Sequence, residues 1–213
     1  MTSSDDAKYW EYQRPIGEIG GELDLEKFEL HVKATDVVLD YGCGGGFLLA
    51  RLECRERIGI EPSRVARAHA ELLGLTVYKS PAEVQDSSID VVISNHALEH
   101  VERPLDALRE LRPLLKSGGR LVIAVPLDDW RSQKAPRAGD PNHHLYTWTP
   151  LLLANLLGEA GFQVLSCEVL TEAWNARFLD FKRRLPGAVY RAATWLFALV
   201  KRRRQVIAVA TVT

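Results

Sequence analysis

The chain is poor in cysteine: Cys43, Cys54 and Cys167 form no C-x-x-C pair and leave one thiol over after any pairing. A disulfide framework is excluded, and free thiols in a reduced, cytoplasmic compartment are expected. Long apolar runs are missing as well. The nearest, Ala192–Val200, falls short of the roughly 20 residues that span a bilayer. The opening MTSSDDAKYWEYQRP has neither a basic stretch nor an apolar one, so no secretory leader is expected. Nor is there an excess of one charge. With 27 Lys and Arg against 28 Asp and Glu, net charge is −1 at pH 7, and no global field draws nucleic acid or a membrane. Internal repeats and low-complexity tracts are absent.

What is present is an ordinary globular composition, 46% hydrophobic and 26% charged over 213 residues. That suits one domain, residues 1–213, with elaborations around a real core. Short β-branched runs alternate with helical stretches, which predicts a parallel sheet covered by helices on both faces. The expected strands are Val37–Asp40, Arg57–Glu61, Thr76–Lys79, Ile89–Ser94, Leu121–Val125, Gln163–Val169 and Gln205–Val212. The last follows a hairpin-like excursion and is expected to insert antiparallel. Helices are expected over the FLLARLEC segment that begins at Phe47, from Pro62–Ser63 to Leu73, from Pro104 to Leu115, and from Thr149–Pro150 to Ala160. Ser117-Gly118-Gly119 reads as a helix stop and turn. Residues 127–148 are polar, carry Pro and Gly, and read as a long functional loop.

The first strand leads into a glycine loop, VVLDYGCGGGFLL. Gly42, Gly44, Gly45 and Gly46 admit positive φ and close ligand approach. The helix predicted after them would add unpaired N–H groups and a partial positive charge. A dinucleotide fingerprint would need glycine where Phe47 stands, and the Gly-Lys-Ser/Thr of a phosphate loop is missing. Asp40, at the strand end, would repel a pyrophosphate and suit a ligand carrying an ammonium and a sulfonium.

With those features, Asp40-Tyr41-Gly42-Cys43-Gly44-Gly45-Gly46 resembles the D-x-G-C-G-x-G motif of class I S-adenosylmethionine-dependent methyltransferases. Several further segments match in order. Glu61 ends the second strand, where the family places an acid on the ribose hydroxyls, with Pro62 beside it. Ser80-Pro81-Ala82-Glu83 falls at the adenine position. Ser94-Asn95-His96-Ala97-Leu98-Glu99-His100-Val101 is similar to the S-x-x-x-L-x-H segment beneath the sulfonium, and LLKSGGRLVIAVP to the turn before the fifth strand. The likeness covers roughly residues 35–170. It implies a three-layer Rossmann-like α/β sandwich with a mostly parallel seven-stranded sheet whose last strand is antiparallel. It also implies S-adenosylmethionine as cofactor, with S-adenosylhomocysteine as product. The implied cofactor-binding residues are Asp40, Gly42, Cys43, Gly44, Glu61, Pro62, Ala82, Glu83, Asn95, His96 and Leu98.

Plainer roles stand beside these. Asp40 could cap a turn, Glu61 could be a helix-start acid, and Cys43 reads as packing, with no base beside it. His31 and His69 fall on predicted surface helices. His96 and His100 share a helical face at a spacing that fits a metal pair. The run is H-A-L-E-H, however, without the H-E-x-x-H order, and no third ligand suggests itself, so no metal is expected. Candidates for a general base are His143, His144, His96 and His100. A transfer driven by alignment alone, with no protein base, is the alternative.

Residues 1–34 are expected to form a helical lid bearing Tyr9, Trp10, Tyr12 and Arg14, or else a helix packed on the sheet edge. Residues 35–170 form the cofactor-binding core, and 205–213 the last strand. Between them, 171–204 is a basic amphipathic helical insertion: from Arg177 to Arg204 it carries nine Lys and Arg against Asp180 alone. It could lie on an anionic membrane, bind a partner chain, or pack on the domain. The reading that follows is methyl transfer to a small-molecule or glycan/lipid-linked acceptor, on O or N. The acceptor would enter between the lid and the Trp130–Trp148 loop, in a monomer or homodimer. A non-catalytic cofactor-binding module and a nicotinamide dehydrogenase are the alternatives. A nucleic-acid methyltransferase is disfavoured, because Asn95-His96-Ala97-Leu98 stands where an N/D-P-P-Y/F motif belongs.

Overall fold

A computed structural model describes residues 3–128, 131, 135, 136, 138, 140 and 142–213, with side chains in the first helix from Trp10 onward. Seven strands form one sheet in the order β3-β2-β1-β4-β5-β7-β6. They are β1 (Val37–Tyr41), β2 (Glu56–Ile60), β3 (Thr76–Tyr78), β4 (Ile89–Asn95), β5 (Leu115–Leu127), β6 (Gln163–Leu170) and β7 (Arg204–Thr211). β7 runs antiparallel to both β5 and β6, as its place after the excursion predicts.

Side chains of a strand point alternately to the two faces of the sheet. Here both faces are buried. Val37, Leu39, Val92, Leu121, Ile123 and Val125 pack with Leu108, Leu111, Leu153 and Leu157. Those leucines belong to α4 (Pro104–Leu111) and α5 (Pro150–Glu159). Val38, Val91, Ile93, Val122 and Ala124 pack the other way, against Phe28, Leu49, Leu52 and Ala70. Phe28 lies on α2 (Glu26–Glu29) and Ala70 on α3 (Arg64–Leu72). Ser63 caps α3 by accepting from the Ala66 N–H, as its position before the helix suggests.

Two local expectations fail. The FLLARLEC segment is not a helix; it holds only a single 3₁₀ turn, Leu49–Arg51. The Arg57 guanidinium takes the Leu52 carbonyl at 2.9 and 2.6 Å, turning the chain straight into β2. The segment's own Leu48, Leu49 and Leu52 bury in the core beside Phe28 and Ala70, and α1 (Ser3–Leu23) lies over it with Gly17 and Gly21 against Phe47. Ser117-Gly118-Gly119 is not a turn ahead of the strand either. It lies inside β5, where the pairing jumps from Ile89–Leu115 to Val91–Arg120. The preceding helix has already stopped at Leu111, followed by the 3₁₀ turn Arg112–Leu114, because Pro113 cannot continue it.

The basic insertion folds as α6 (Phe178–Arg184) and α7 (Gly187–Lys201) and packs on α1. Phe178 and Tyr190 bury against Leu23. Arg183 pairs with Glu22 at 2.9 Å and Lys182 with Glu26 at 3.1 Å, so part of the basic cluster is neutralised within the chain. Among the described residues, no helix is long and apolar enough to cross a membrane.

Candidate functional site

The carboxyl ends of β1, β2 and β4 converge at the glycine loop, the edge where open α/β sheets take ligands. Gly42 and Gly44 have φ of +80° and +54°. A Cβ on Gly42 would stand 2.3 Å from the Cβ of Ala97, so the loop and the exit of β4 are in direct contact. A Cβ on Gly44 would meet nothing within 4 Å, so the backbone there borders open space.

Glu61 closes this loop from the side. Its Oε2 accepts from the Gly44 N–H at 2.9 Å and its Oε1 from the Ser63 N–H at 2.7 Å. A carboxylate oxygen can accept from more than one donor, so such an acid also suits hydroxyl groups. Asp40 is buried behind it, and burial together with the neighbouring Glu61 charge pushes its carboxyl up to about 7. Two acids packed this closely, one of them out of water, form a site that a cation would relieve. Cys43 is buried, its thiol pushed well up by burial and by the Asp40 charge, which fits packing and not nucleophilic attack.

The other implied cofactor residues divide. Ala82 and Glu83 are exposed on the 3₁₀ turn Pro81–Glu83, and the Glu83 carboxylate is engaged by the Ser80 N–H at 3.1 Å in a capping box. Pro62 is exposed beside Glu61. Leu98 is 1% exposed and belongs to the core, so it shapes the floor instead of offering contact area.

Asn95 and His96 belong to a buried polar network that sequence reading missed. The Asn95 amide donates to Asp24 Oδ2 at 3.0 Å, and the Trp174 indole donates to Asp24 Oδ1 at 2.7 Å. Lys27, itself buried, pairs with Asp24 at 2.8 Å and donates to Gln205 Oε1 at 2.7 Å. His96 reaches the same Gln205 oxygen through Nε2 at 2.9 Å, and Glu99 Oε1 through Nδ1 at 3.2 Å. Burial works to raise the Asp24 carboxyl, but Lys27 and His96, with the Trp174 indole, hold it below its ordinary value. The legible signal was Asp24 and Lys27 at i, i+3; their partners are 71 to 178 residues away in sequence.

Of the residues expected on a lid, Trp10 stacks on Phe47 with ring centres 6.2 Å apart and lies against Gly45. His69, expected to be solvated, joins them: its ring is 4.7 Å from that of Phe47, and Nδ1 is 2.9 Å from the Gly45 carbonyl. Tyr12 donates to Asn142 at 3.2 Å and so bridges α1 to the long loop, while Arg14 pairs with Glu18 at 2.9 Å on the same helix. The Tyr9 side chain and Trp130 lie outside the described residues.

The four base candidates are unequal. His143 is exposed, with φ of +44°. His144 Nδ1 lies 3.3 Å from Asp128 Oδ2, and that hydrogen bond raises the imidazole above its ordinary value despite partial burial. His100 stands edge-on to His144, ring centres 5.0 Å apart, and burial lowers it. The Leu145 N–H donates to the Glu99 carbonyl at 2.9 Å, which brings the long loop onto the β4 exit.

Strand order, glycine loop and strand-end acids together define the Rossmann-like class of S-adenosylmethionine-dependent methyltransferases. A family model described as a methyltransferase domain matches residues 6–167. The chain belongs to that family. It is 34% identical over 145 residues to a ubiquinone biosynthesis O-methyltransferase of Roseobacter denitrificans, covering 62% of this chain and 57% of that protein. It is 32% identical over 130 residues to an uncharacterized methyltransferase of Mycobacterium tuberculosis, covering 57% and 62%. The chain thus spans about half the length of the curated relatives it matches. Among solved structures, a possible histamine N-methyltransferase from Thermotoga maritima superposes with a TM-score of 0.68 at 19% identity, covering 97% of this chain and 96% of that one. A geranyl diphosphate C-methyltransferase from Streptomyces coelicolor gives 0.62 at 16% identity, covering 90% and 77%. At such identities these two share the fold alone.

Proposed function

We propose that this chain transfers a methyl group from S-adenosylmethionine to a hydroxyl oxygen of a small-molecule acceptor. The observation that carries the donor half is the Asp40–Glu61 pair at the glycine loop: a buried acid held near 7 beside a carboxylate already fixed by the Gly44 and Ser63 N–H groups. That donor set fits a cationic amino-acid group and a vicinal diol. The open space at Gly44 leaves room for them. The cofactor supplies an electrophilic methyl on a sulfonium whose leaving group is already activated. Asp40 would compensate positive charge, and Glu61 would accept from the ribose hydroxyls. Ala97 and Leu98 would form the wall beneath, and Trp10 with Phe47 and His69 would shield the loop from water.

The oxygen acceptor is supported by the O-methyltransferase names of the relatives and by His144. An imidazole oriented by Asp128 can take a proton from a hydroxyl, a service that a neutral amine does not need. The acceptor would enter between α1 and the loop that Tyr12 ties to it. One further feature favours a lipid-linked acceptor. Val189, Trp195, Leu196 and Val200 of α7 are exposed, with Arg191 and Lys201 on the same helix, a surface able to rest on anionic lipid.

Calorimetric titration with S-adenosylmethionine, wild type beside Asp40→Ala and Glu61→Ala, tests the donor site. Both variants should lose at least about tenfold in affinity, the scale of one charged hydrogen bond. Equal affinities would rule the site out. Methyl transfer to fractionated metabolites, followed by product analysis for an ether or ester, tests the acceptor class.

A further inference from the structure

The spacing of His96 and His100 offered no third ligand, but the fold supplies a different trio. One carboxylate oxygen of Glu99 and one ring nitrogen each of His100 and His144 all lie within 4.8 Å of one another. The three come from two places in the chain. Glu99 and His100 sit on the 3₁₀ turn Leu98–His100 at the β4 exit, and His144 is on the long loop pinned there by the Leu145–Glu99 backbone bond.

Glu99 is fully buried. His96 occupies its Oε1, whereas Oε2 has no hydrogen-bond partner among the described residues. A buried carboxylate oxygen left bare is costly, and a cation beside it removes the penalty. The geometry already restrains both rings. His144 Nδ1 is held by Asp128, and the His100 ring stands edge-on to the His144 ring, centres 5.0 Å apart. Metal-bound histidines are fixed as His144 is, one nitrogen on an outer carboxylate or carbonyl and the other on the ion.

We propose that Glu99, His100 and His144 bind a divalent cation of the zinc type, with Asp128 as the outer partner that orients His144. Two imidazoles and one carboxylate suit Zn²⁺ or a neighbouring first-row ion better than Mg²⁺ or Ca²⁺, which prefer all-oxygen shells. Three protein ligands leave coordination positions open. The site adjoins the methyl-donor loop, since Ala97, two residues before Glu99, packs on Gly42. An ion here would hold the acceptor through its hydroxyl oxygen and favour loss of that proton, with His144 then a ligand to the ion instead of the base; this role, unlike the site itself, rests on the O-methyl transfer proposed above. Acceptors with adjacent oxygens, able to fill two open positions, fit best.

The test uses the full chain, stripped with EDTA and titrated with Zn²⁺ alone and with Co²⁺ alone. Wild type should bind one ion per chain, and Co²⁺ should give the intense visible bands of a low-coordinate imidazole site. His100→Ala and His144→Ala should each weaken Zn²⁺ binding by at least about tenfold, and Asp128→Asn by roughly ten- to a hundredfold. Circular dichroism melts identify any variant that fails to fold. In that event the wild-type Co²⁺ spectrum decides, because the weak bands of a six-coordinate aqua ion would overturn the site. Wild type without a bound ion, or the same affinity in folded His100→Ala and His144→Ala, would overturn it as well. S-adenosylmethionine binding is measured on the same wild-type sample. Donor binding without Zn²⁺ binding removes the metal site alone, and the reverse removes the methyltransferase reading while leaving the site.

Discussion

Asp40 concentrates the chemistry of the site in one carboxyl group. Its pKa of about 7, against an ordinary 3.8, arises from burial first and the Glu61 charge second. The folded state therefore holds this proton more tightly than the unfolded chain does. Asp40 should make stability fall as pH rises from about 4 to about 7 and level off above that. Asp40→Asn should flatten that fall and, at pH 8, stabilise the ligand-free protein by about 2–4 kcal/mol, read from urea denaturation across pH. The same variant should bind S-adenosylmethionine worse. In wild type, donor affinity should climb toward pH 7 as Asp40 ionises, and a pH-independent affinity would count against its role. Asp40 and Glu61 were both legible in the sequence, because a strand end followed by glycines is local information. The Gly44 and Ser63 N–H groups that orient Glu61 were not.

α1 illustrates how an element can be recognised while its packing stays illegible. A helix before the sheet was expected, but its glycine face was not assigned a purpose. A Cβ on Gly21 would stand 2.6 Å from the Phe47 carbonyl carbon, so the helix backbone rests directly on the segment after the glycine loop. Gly21→Ala gains helix propensity, yet the clash should dominate and cost about 1–3 kcal/mol, seen as a lower melting temperature. S-adenosylmethionine affinity should fall with it if the helix must lift. The helix expected at FLLARLEC failed for a different reason. Its leucines are apolar at helical spacing, but the chain has little length before β2 and buries them around a single 3₁₀ turn. For α7, removing the exposed apolar face with Trp195→Ser and Leu196→Ser should abolish co-flotation with anionic liposomes while leaving the melting temperature within about 1 °C, since exposed substitutions cost little. Absence of wild-type flotation would dismiss lipid contact.

Across the molecule, the buried network ties α1 and α2 to β4, β7 and the segment at Trp174. Lys27 and Asp24 are a buried ion pair whose partners, Asn95, Trp174 and Gln205, lie far along the chain. Removing one charge strands the other. Lys27→Met should destabilise by about 3–5 kcal/mol, whereas Asp24→Leu combined with Lys27→Met should recover much of that loss in a double-mutant cycle. If the single and double variants were equally unstable, the network would be acting through packing and not through charge.

The sequence by itself determined the strand order's raw material, the antiparallel last strand, the glycine loop and the two strand-end acids. Each is written in residues close together, where alternation, turn chemistry and spacing act over a few positions. It could not determine that His69 lies on the loop, that Asp24 and Lys27 meet Gln205, or that His144 joins Glu99 and His100. Those contacts depend on which distant segments share a face after the sheet closes, a consequence of burying both faces of the sheet at once. The same closure cut the expected helix after Phe47 to one 3₁₀ turn, its leucines buried beside Phe28 and Ala70 and the glycines of α1 laid over Phe47.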